Sequence, residues 1–281
     1  MQTDSFCYCV TTYNKNPALR VWMETFLEHR DDRVKNVVIC DDSDESNALE
    51  VFHEFNTKMP KDCNLHYRGG RRVGIARNKN RGLKFFMQET DARFVVLWDD
   101  DVEFVGPGIE TQLLKAEYAH ITGYLGDIRD ADGNMQHIPF GATGNPFFVT
   151  FPVAGETDYL CFCAGSQGVM LFCVREVIER VGYFDVDWKG YYGFEHSIWS
   201  NRINRGFGIC PDWFAILKGC ERYFQTQQVP NTYEPDYLKD KDGKLQVNEQ
   251  GTPLFKNTAQ WEKRKTEIYA GIGIKSMDPG V

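Results

Sequence analysis

The chain opens as an alternation of two hydrophobic periods. Short apolar runs rich in β-branched and aromatic residues, at 6–12 (FCYCVTT), 34–40 (VKNVVIC), 64–68 (NLHYR) and 93–98 (RFVVLW), predict strands. Between the first two, Asn16 and Pro17 are residue types that open helices. Ala18, Val21, Trp22, Thr25, Phe26 and His29 then recur at helical spacing and give that helix one face to bury. A second helical stretch runs to about Lys58, and residues 69–90 begin as a glycine-rich loop and continue as a third helix. Strands and helices in this order imply an α/β fold with a mostly parallel sheet flanked by helices, and in such sheets ligands bind beyond the carboxyl ends of the strands.

From about residue 105 the pattern changes. Residues 107–120 (PGIETQLLKAEYAH) predict a helix, and DIRDADGNMQHI at 127–138 places an Asp-Gly-Asn turn between strand-like flanks, which predicts a hairpin. Residues 168–174 (GVMLFCV) predict a strand, 175–182 a helix ending at Gly182, and 194–208 (FEHSIWSNRINRGFG) a helix closed by Gly206. Beyond about residue 225 the chain is polar, with a turn at KDKDGK and late aromatics at Phe255, Trp261 and Tyr269.

Composition narrows the class. Of 281 residues, 42% are apolar and 26% charged, which is ordinary for a folded globular chain and argues against disorder. The longest apolar run falls far short of the ~20 residues that cross a bilayer. The first residues lack a basic segment followed by a long apolar one, so no secretory signal is expected and the expected location is cytoplasmic. Nine cysteines, with no Cys-x-x-Cys pair, argue against a disulfide framework and a structural zinc site. The period-2 spacing of Cys7 with Cys9 and of Cys161 with Cys163 instead suggests buried thiols on strands. A net charge of −8 weighs against a nucleic-acid polyanion as the main partner.

The candidate chemistry sits in FVVLWDDDVEF, where an apolar strand runs into Asp99, Asp100 and Asp101. Three adjacent carboxylates repel one another unless a positive charge lies against them, and a divalent cation is the obvious candidate. A second acidic group, Asp41 to Asp44, follows the second strand and falls at the same sheet edge. Asp44 and Ser46 also suit the N-cap of the helix that follows.

The order CVTTYN, ICDDS, GIARNKNRG, LWDDD, GVMLFCVREVIERVGYFD and GYYGFEHSIWSNRINRG resembles the GT-A glycosyltransferases, most nearly family 2. The resemblance implies a Rossmann-like GT-A domain over about 1–220, with a donor-binding half to about 104 and an acceptor half from 105. Residues 221–281 would form a C-terminal extension packed on the core. It implies a nucleotide-sugar donor, UDP-linked by preference, contacted by Thr11, Asp41, Asp42, Arg77, Asn78, Asp99 and Asp100. Asp99 and Asp101 match the family's DXD motif and would hold Mn²⁺ or Mg²⁺, ions suited to hard carboxylate oxygens. Glu195 matches the glutamate of the family's acidic pair, and His196 stands where an aspartate is usual. A sugar hydroxyl is a poor nucleophile and needs a base in reach, so Glu195 or His196 would serve as catalytic base, or His196 would complete the metal shell. Trp188, Tyr191, Tyr192 and Phe194 surround the pair and suit stacking on a sugar or base.

The implied activity is metal-dependent transfer of a hexosyl or pentosyl group to a hydroxyl on a glycan or other biomolecule. Two alternatives use the same scaffold: glycosylation of a hydroxymethylated nucleic-acid base, and non-catalytic carbohydrate or nucleotide binding. Nucleotidyl transfer is weaker, because TTYNKNPAL lacks a glycine-rich phosphate loop. Neither the sugar, the acceptor nor the oligomeric state is legible.

Overall fold

The structure is a computed structural model that describes residues 4–45, 48–123, 127–129, 135–137, 153–163, 168–186, 194–227, 238–247 and 256–271. Ser46, Trp188, Tyr191, Tyr192, Phe255 and the Asp132-Gly133-Asn134 turn lie outside the described residues.

The first half is a strand–helix alternation: β1 (Phe6–Thr12), α1 (Asn16–His29), β2 (Val34–Asp41), α2 (Ala48–Asn56), β3 (Asn64–Arg68), α3 (Ile75–Glu89) and β4 (Phe94–Asp99). Short elements follow: β5 (Val102–Phe104), α4 (Ile109–Lys115), β6 (His120–Thr122), β7 (Asp127–Arg129), β8 (Met135–His137), β9 (Val153–Glu156) and β10 (Leu160–Cys163). The rest comprises β11 (Met170–Val174), α5 (Arg175–Val181), α6 (Glu195–Gly206), β12 (Phe214–Leu217), β13 (Phe224–Thr226) and α7 (Thr258–Tyr269).

Nine strands form one sheet in the order β3-β2-β1-β4-β11-β6-β12-β10-β9. Pairing is parallel from β3 through β4, antiparallel where β11 joins β4 and β6, parallel again between β6 and β12, and antiparallel through β10 and β9. The strand alternation seen in the sequence splits the core into two layers. Phe6, Tyr8 and Val10 join Trp22, Phe26, Trp98 and Phe104 on the α1 face, whereas Cys7, Cys9, Val95 and Leu97 join Leu83, Phe86 and Trp199 on the α3 face. Burying each large side chain contributes about 1.5–3 kcal/mol, so this double layer fixes the sheet edge on which the site stands. All described cysteines are free thiols, and every one but Cys210 is buried.

Two sequence expectations shift. The helix predicted over 107–120 spans only Ile109–Lys115, because Glu117 takes a left-handed backbone (φ 48°) and His120 enters β6. α6 does end at Gly206, but the left-handed glycine beyond it is Gly208 (φ 74°). The predicted hairpin flanks are present as β7 and β8, paired antiparallel. No helix among the described residues is long and apolar enough to cross a membrane.

Candidate active site

The strand register brings the acidic segments together. β1 lies between β2 and β4, pairing Thr12 with Asp41 on one side and Thr11 with Asp99 on the other. The last residues of three parallel strands therefore form one row at the carboxyl edge. Thr11 is buried and its hydroxyl donates to the Trp98 carbonyl at 3.2 Å.

On the β2 side the carboxylates are bound by the protein itself. Asp41 accepts from the Ser43 amide at 2.8 Å, the Ala48 amide at 3.2 Å and the Tyr67 hydroxyl at 2.8 Å. Asp42 accepts from the Val73 and Gly74 amides at 2.7 and 2.9 Å, which ties down the glycine-rich loop ahead of α3. Burial, more than any neighbour, raises the Asp42 pKa. The Tyr13 ring stands at the same edge under the Arg72 guanidinium, 4.1 Å from its centroid, and its hydroxyl donates to Asp44.

Along GIARNKNRG each residue has a separate task. Gly74 begins the helix with φ 89°, a conformation glycine adopts at no steric cost. Arg77 is half-buried and makes no ion pair or hydrogen bond among the described residues. Asn78 donates to the Cys40 carbonyl at 2.7 Å, stitching α3 to β2, and Asn80 exchanges two hydrogen bonds with the Phe184 backbone. Arg81 donates to the Asp41 and Arg71 carbonyls. Gly82 lets α3 rest on the sheet, since a Cβ there would lie 2.8 Å from the Cys9 Cβ.

The three aspartates meet two lysines. Lys15 Nζ lies 2.9 Å from Asp101 and 3.8 Å from Asp100, and Lys79 Nζ lies 3.7 Å from Asp99 and 3.5 Å from Glu195. The Lys79 side chain is 1% exposed; burial alone would lower its pKa, but Asp99 and Glu195 outweigh it and the net shift is upward. Burial, reinforced by Asp101 and opposed by Lys15, pushes Asp100 up to about 7. Gln227 locks the turn from the far end of the chain: its amide donates to the Asp101 carbonyl at 2.7 Å, and its side chain donates to the Ala18, Asp100 and Val102 carbonyls.

Across Lys79 stands the Glu195–His196 pair, in the first turn of α6. Glu195 is buried; burial alone would raise its pKa, yet His196 and Lys79 hold it down to about 2. His196 Nδ1 is 3.6 Å from Glu195 Oε1, and its Nε2 is 3.3 Å from the Ser197 hydroxyl. A Cβ on Gly168 would meet the His196 ring at 3.1 Å, so glycine there makes room for the imidazole. Phe194, just ahead of the pair, is left-handed (φ 63°), which costs a bulky residue about 1–3 kcal/mol unless its surroundings hold it. Its ring stacks on Trp261 of α7, with centroids 4.9 Å apart and planes at 19°.

The model of glycosyl transferase family 2 matches residues 7–168, more than half of the chain. The chain belongs to glycosyltransferase family 2. Solved GT-A glycosyltransferases share the fold. GalNAc-T7, solved with UDP, GalNAc and Mn²⁺, superposes over 95% of this chain and 50% of its own, at TM-score 0.60 and 13% identity. The mannosyltransferase PcManGT from Pyrobaculum calidifontis, solved with GDP-Man and Mn²⁺, covers 81% of this chain and 58% of its own, at TM-score 0.54 and 15% identity. TarS from S. aureus covers 79% and 36%, at TM-score 0.54 and 12% identity. The chain thus spans between about a third and three-fifths of the length of those proteins. No curated protein sequence matches it.

A divalent cation fits the charge of the edge. Among the described residues the four carboxylates of Asp99, Asp100, Asp101 and Glu195 are met by the two fixed cations of Lys15 and Lys79 and by the His196 imidazole, leaving negative charge over; burial first, and then Asp101, pushes Asp100 upward. The Asp99 and Asp101 side chains are partly exposed, and their hard oxygens suit Mn²⁺ or Mg²⁺. Among the described residues no three His, Cys, Asp or Glu side chains form a ready metal cage. A cation here would therefore take other ligands from a bound molecule.

Sequence reasoning missed Lys15, Lys79, Gln227 and Trp261. For Lys79 a signal existed: with Ala76, Leu83 and Phe86 it follows the i, i+4, i+7 spacing of the buried face of α3, whereas Arg77 falls off it.

Proposed function

We propose that this glycosyltransferase moves a sugar from a nucleotide-sugar donor, UDP-linked by preference, to an acceptor hydroxyl with the help of a divalent cation. The observation that carries this reading is the facing of Asp99–Asp101 and Glu195–His196 across one buried lysine at the carboxyl edge of the sheet. Asp99 and Asp101 would hold the cation, which supplies Lewis-acid neutralisation of the departing diphosphate. Arg77, with its guanidinium unengaged among the described residues, suits the donor phosphates. The Tyr13 ring, beside Asp42 and Asp44, suits one face of a nucleobase.

His196 takes the base role in this reading. The Glu195 carboxylate is already engaged by Lys79 at 3.5 Å and by the His196 Nδ1 at 3.6 Å, so it serves better as the anion behind the imidazole, orienting it and stabilising the imidazolium that forms. The acceptor hydroxyl gives its proton to His196, its oxygen attacks the anomeric carbon, and the bond from that carbon to the diphosphate oxygen breaks. Donor complexes of the solved relatives, UDP or GDP-Man with Mn²⁺, support the choice of donor and ion.

The test is nucleotide release by the purified protein from a panel of UDP- and GDP-sugars with Mn²⁺, Mg²⁺ or EDTA. One donor is expected to turn over with metal, and Asp101→Ala to lower that rate at least ~100-fold, the usual effect of removing one preorganised charge-stabilising group. Failure of every donor to bind with any metal refutes the reading.

A further inference from the structure

The Glu195–His196 pair is aimed by a residue that the motif itself does not contain. Phe194 turns the chain through a left-handed backbone into α6, and its carbonyl accepts the Ile198 amide at 3.0 Å, the bond that closes the first turn. Among the described residues no side-chain hydrogen bond caps this end of α6. What lies against Phe194 is Trp261, stacked on its ring, on a helix that begins more than fifty residues after α6 ends.

The helix carrying Trp261 is itself anchored at two other points. Lys265 reaches Asp212 at 3.4 Å and the Tyr269 hydroxyl donates to the same carboxylate, fixing α7 to the segment beyond α6. Arg264 lies 3.7 Å from Asp185, whose other oxygen is 3.3 Å from the buried Arg202 of α6. Lys265 also stands over the Trp261 ring, 5.0 Å from its centroid. The indole is thus held by its own helix and presents one face to Phe194. A left-handed aromatic persists only where its surroundings over-determine it, and the ring stack is one contact that does so here.

We propose that Trp261 is a positioning residue for the Glu195–His196 pair: through its stack on Phe194 it holds the turn that sets the pair opposite Asp99 and Lys79. The functional half of this inference rests on the role given above to Glu195 and His196; the mechanical half does not.

The test compares Trp261→Ala, Trp261→Phe and Arg264→Ala in the full chain, with two readouts. The first is hydrogen exchange of the Ile198 amide, which needs no substrate. The second is kcat and KM for nucleotide release from the UDP- or GDP-sugar that the parent protein hydrolyses with Mn²⁺. Trp261→Ala is expected to speed Ile198 exchange at least tenfold and to lower kcat at least tenfold with donor KM changed less than threefold. Trp261→Phe, which keeps a ring against Phe194, is expected to restore most of both. Arg264→Ala, which removes the contact to Asp185 but leaves Lys265 and Tyr269 on Asp212 and so spares the stack, is expected to leave both within about threefold of the parent. Unchanged Ile198 exchange in Trp261→Ala overturns the proposal, and so does an equal loss in Arg264→Ala, which would assign the effect to helix docking in general. Faster exchange with kcat unchanged overturns the positioning role. If the parent hydrolyses no donor, the proposed function fails while the exchange measurement still decides whether the stack holds the turn.

Discussion

The two flanks of the site are built differently. On the β2 side, Asp41, Asp42 and Asn78 are held by seven hydrogen bonds to main chain, Tyr67 and Arg81, all made by elements close to them in the parallel half of the sheet. On the α6 side, Glu195 and His196 are held by a buried lysine from α3, a left-handed phenylalanine and an indole from α7. The first flank is a preformed cradle whose amides stay satisfied whether or not a ligand is present. The second is a junction of distant parts, where each contact carries more of the geometry. A recognition surface gains from rigidity, whereas a pair that must meet an acceptor is set by whatever approaches from the rest of the chain.

Lys79 ties the α6 side to Asp99 at the end of β4, so breaking it tests the comparison most severely. Lys79→Met leaves Glu195 and Asp99 without their shared ammonium, and losing one partner of a buried ion pair costs about 3–5 kcal/mol. A lowered midpoint in chemical denaturation, with nucleotide release lost even below the melting range, is the expected result. Near-parent stability would mean that the lysine is dispensable to the junction.

Acid probes the α6 side through His120. His120 is buried under α6, its Nε2 2.8 Å from the Ser200 hydroxyl and its Nδ1 2.9 Å from the Phe172 carbonyl, and burial lowers its pKa to about 4. A base whose pKa falls from an ordinary 6.5 on folding is neutral in the folded state and takes up its proton more readily when unfolded. Its contribution is whole above the unfolded value and is lost as pH drops from about 6.5 to 4, by roughly 3 kcal/mol at most. Thermal melts over that window should show a slope that flattens in His120→Gln. An unchanged slope would place the acid sensitivity elsewhere.

The smallest effect is expected on the cradle. Asp42→Ala releases the Val73 and Gly74 amides, worth about 1–3 kcal/mol if they stay buried and less if water reaches them. With the glycine-rich loop loosened, donor KM should rise while kcat holds within a few fold. A fall in kcat with KM unchanged would assign Asp42 to the chemistry instead.

Much of the first flank was legible in the sequence because its causes are local. Period-2 runs gave the strands, helical spacing gave α1 and α3, and the aspartates end two of those strands, so sheet topology alone carried Asp41 and Asp99 to one edge. β6, β9 and β12 were not legible: they are three or four residues long, too short to display a period, and they exist because neighbouring strands complete their hydrogen bonds. The Glu195–His196 motif was visible, but not what holds it.

By itself the sequence determined the α/β order, the acidic edge and the membership in a glycosyltransferase family, since each follows from residues near one another in the chain and from their spacing. Only the tertiary structure decided that a lysine just ahead of α1 and another on α3 sit among the aspartates, that Gln227 pins their turn and that Trp261 backs Phe194. Those contacts join residues between about 20 and more than 100 positions apart. Whether a charged or aromatic side chain is buried against such a partner depends on how the layers pack, and no local pattern encodes that.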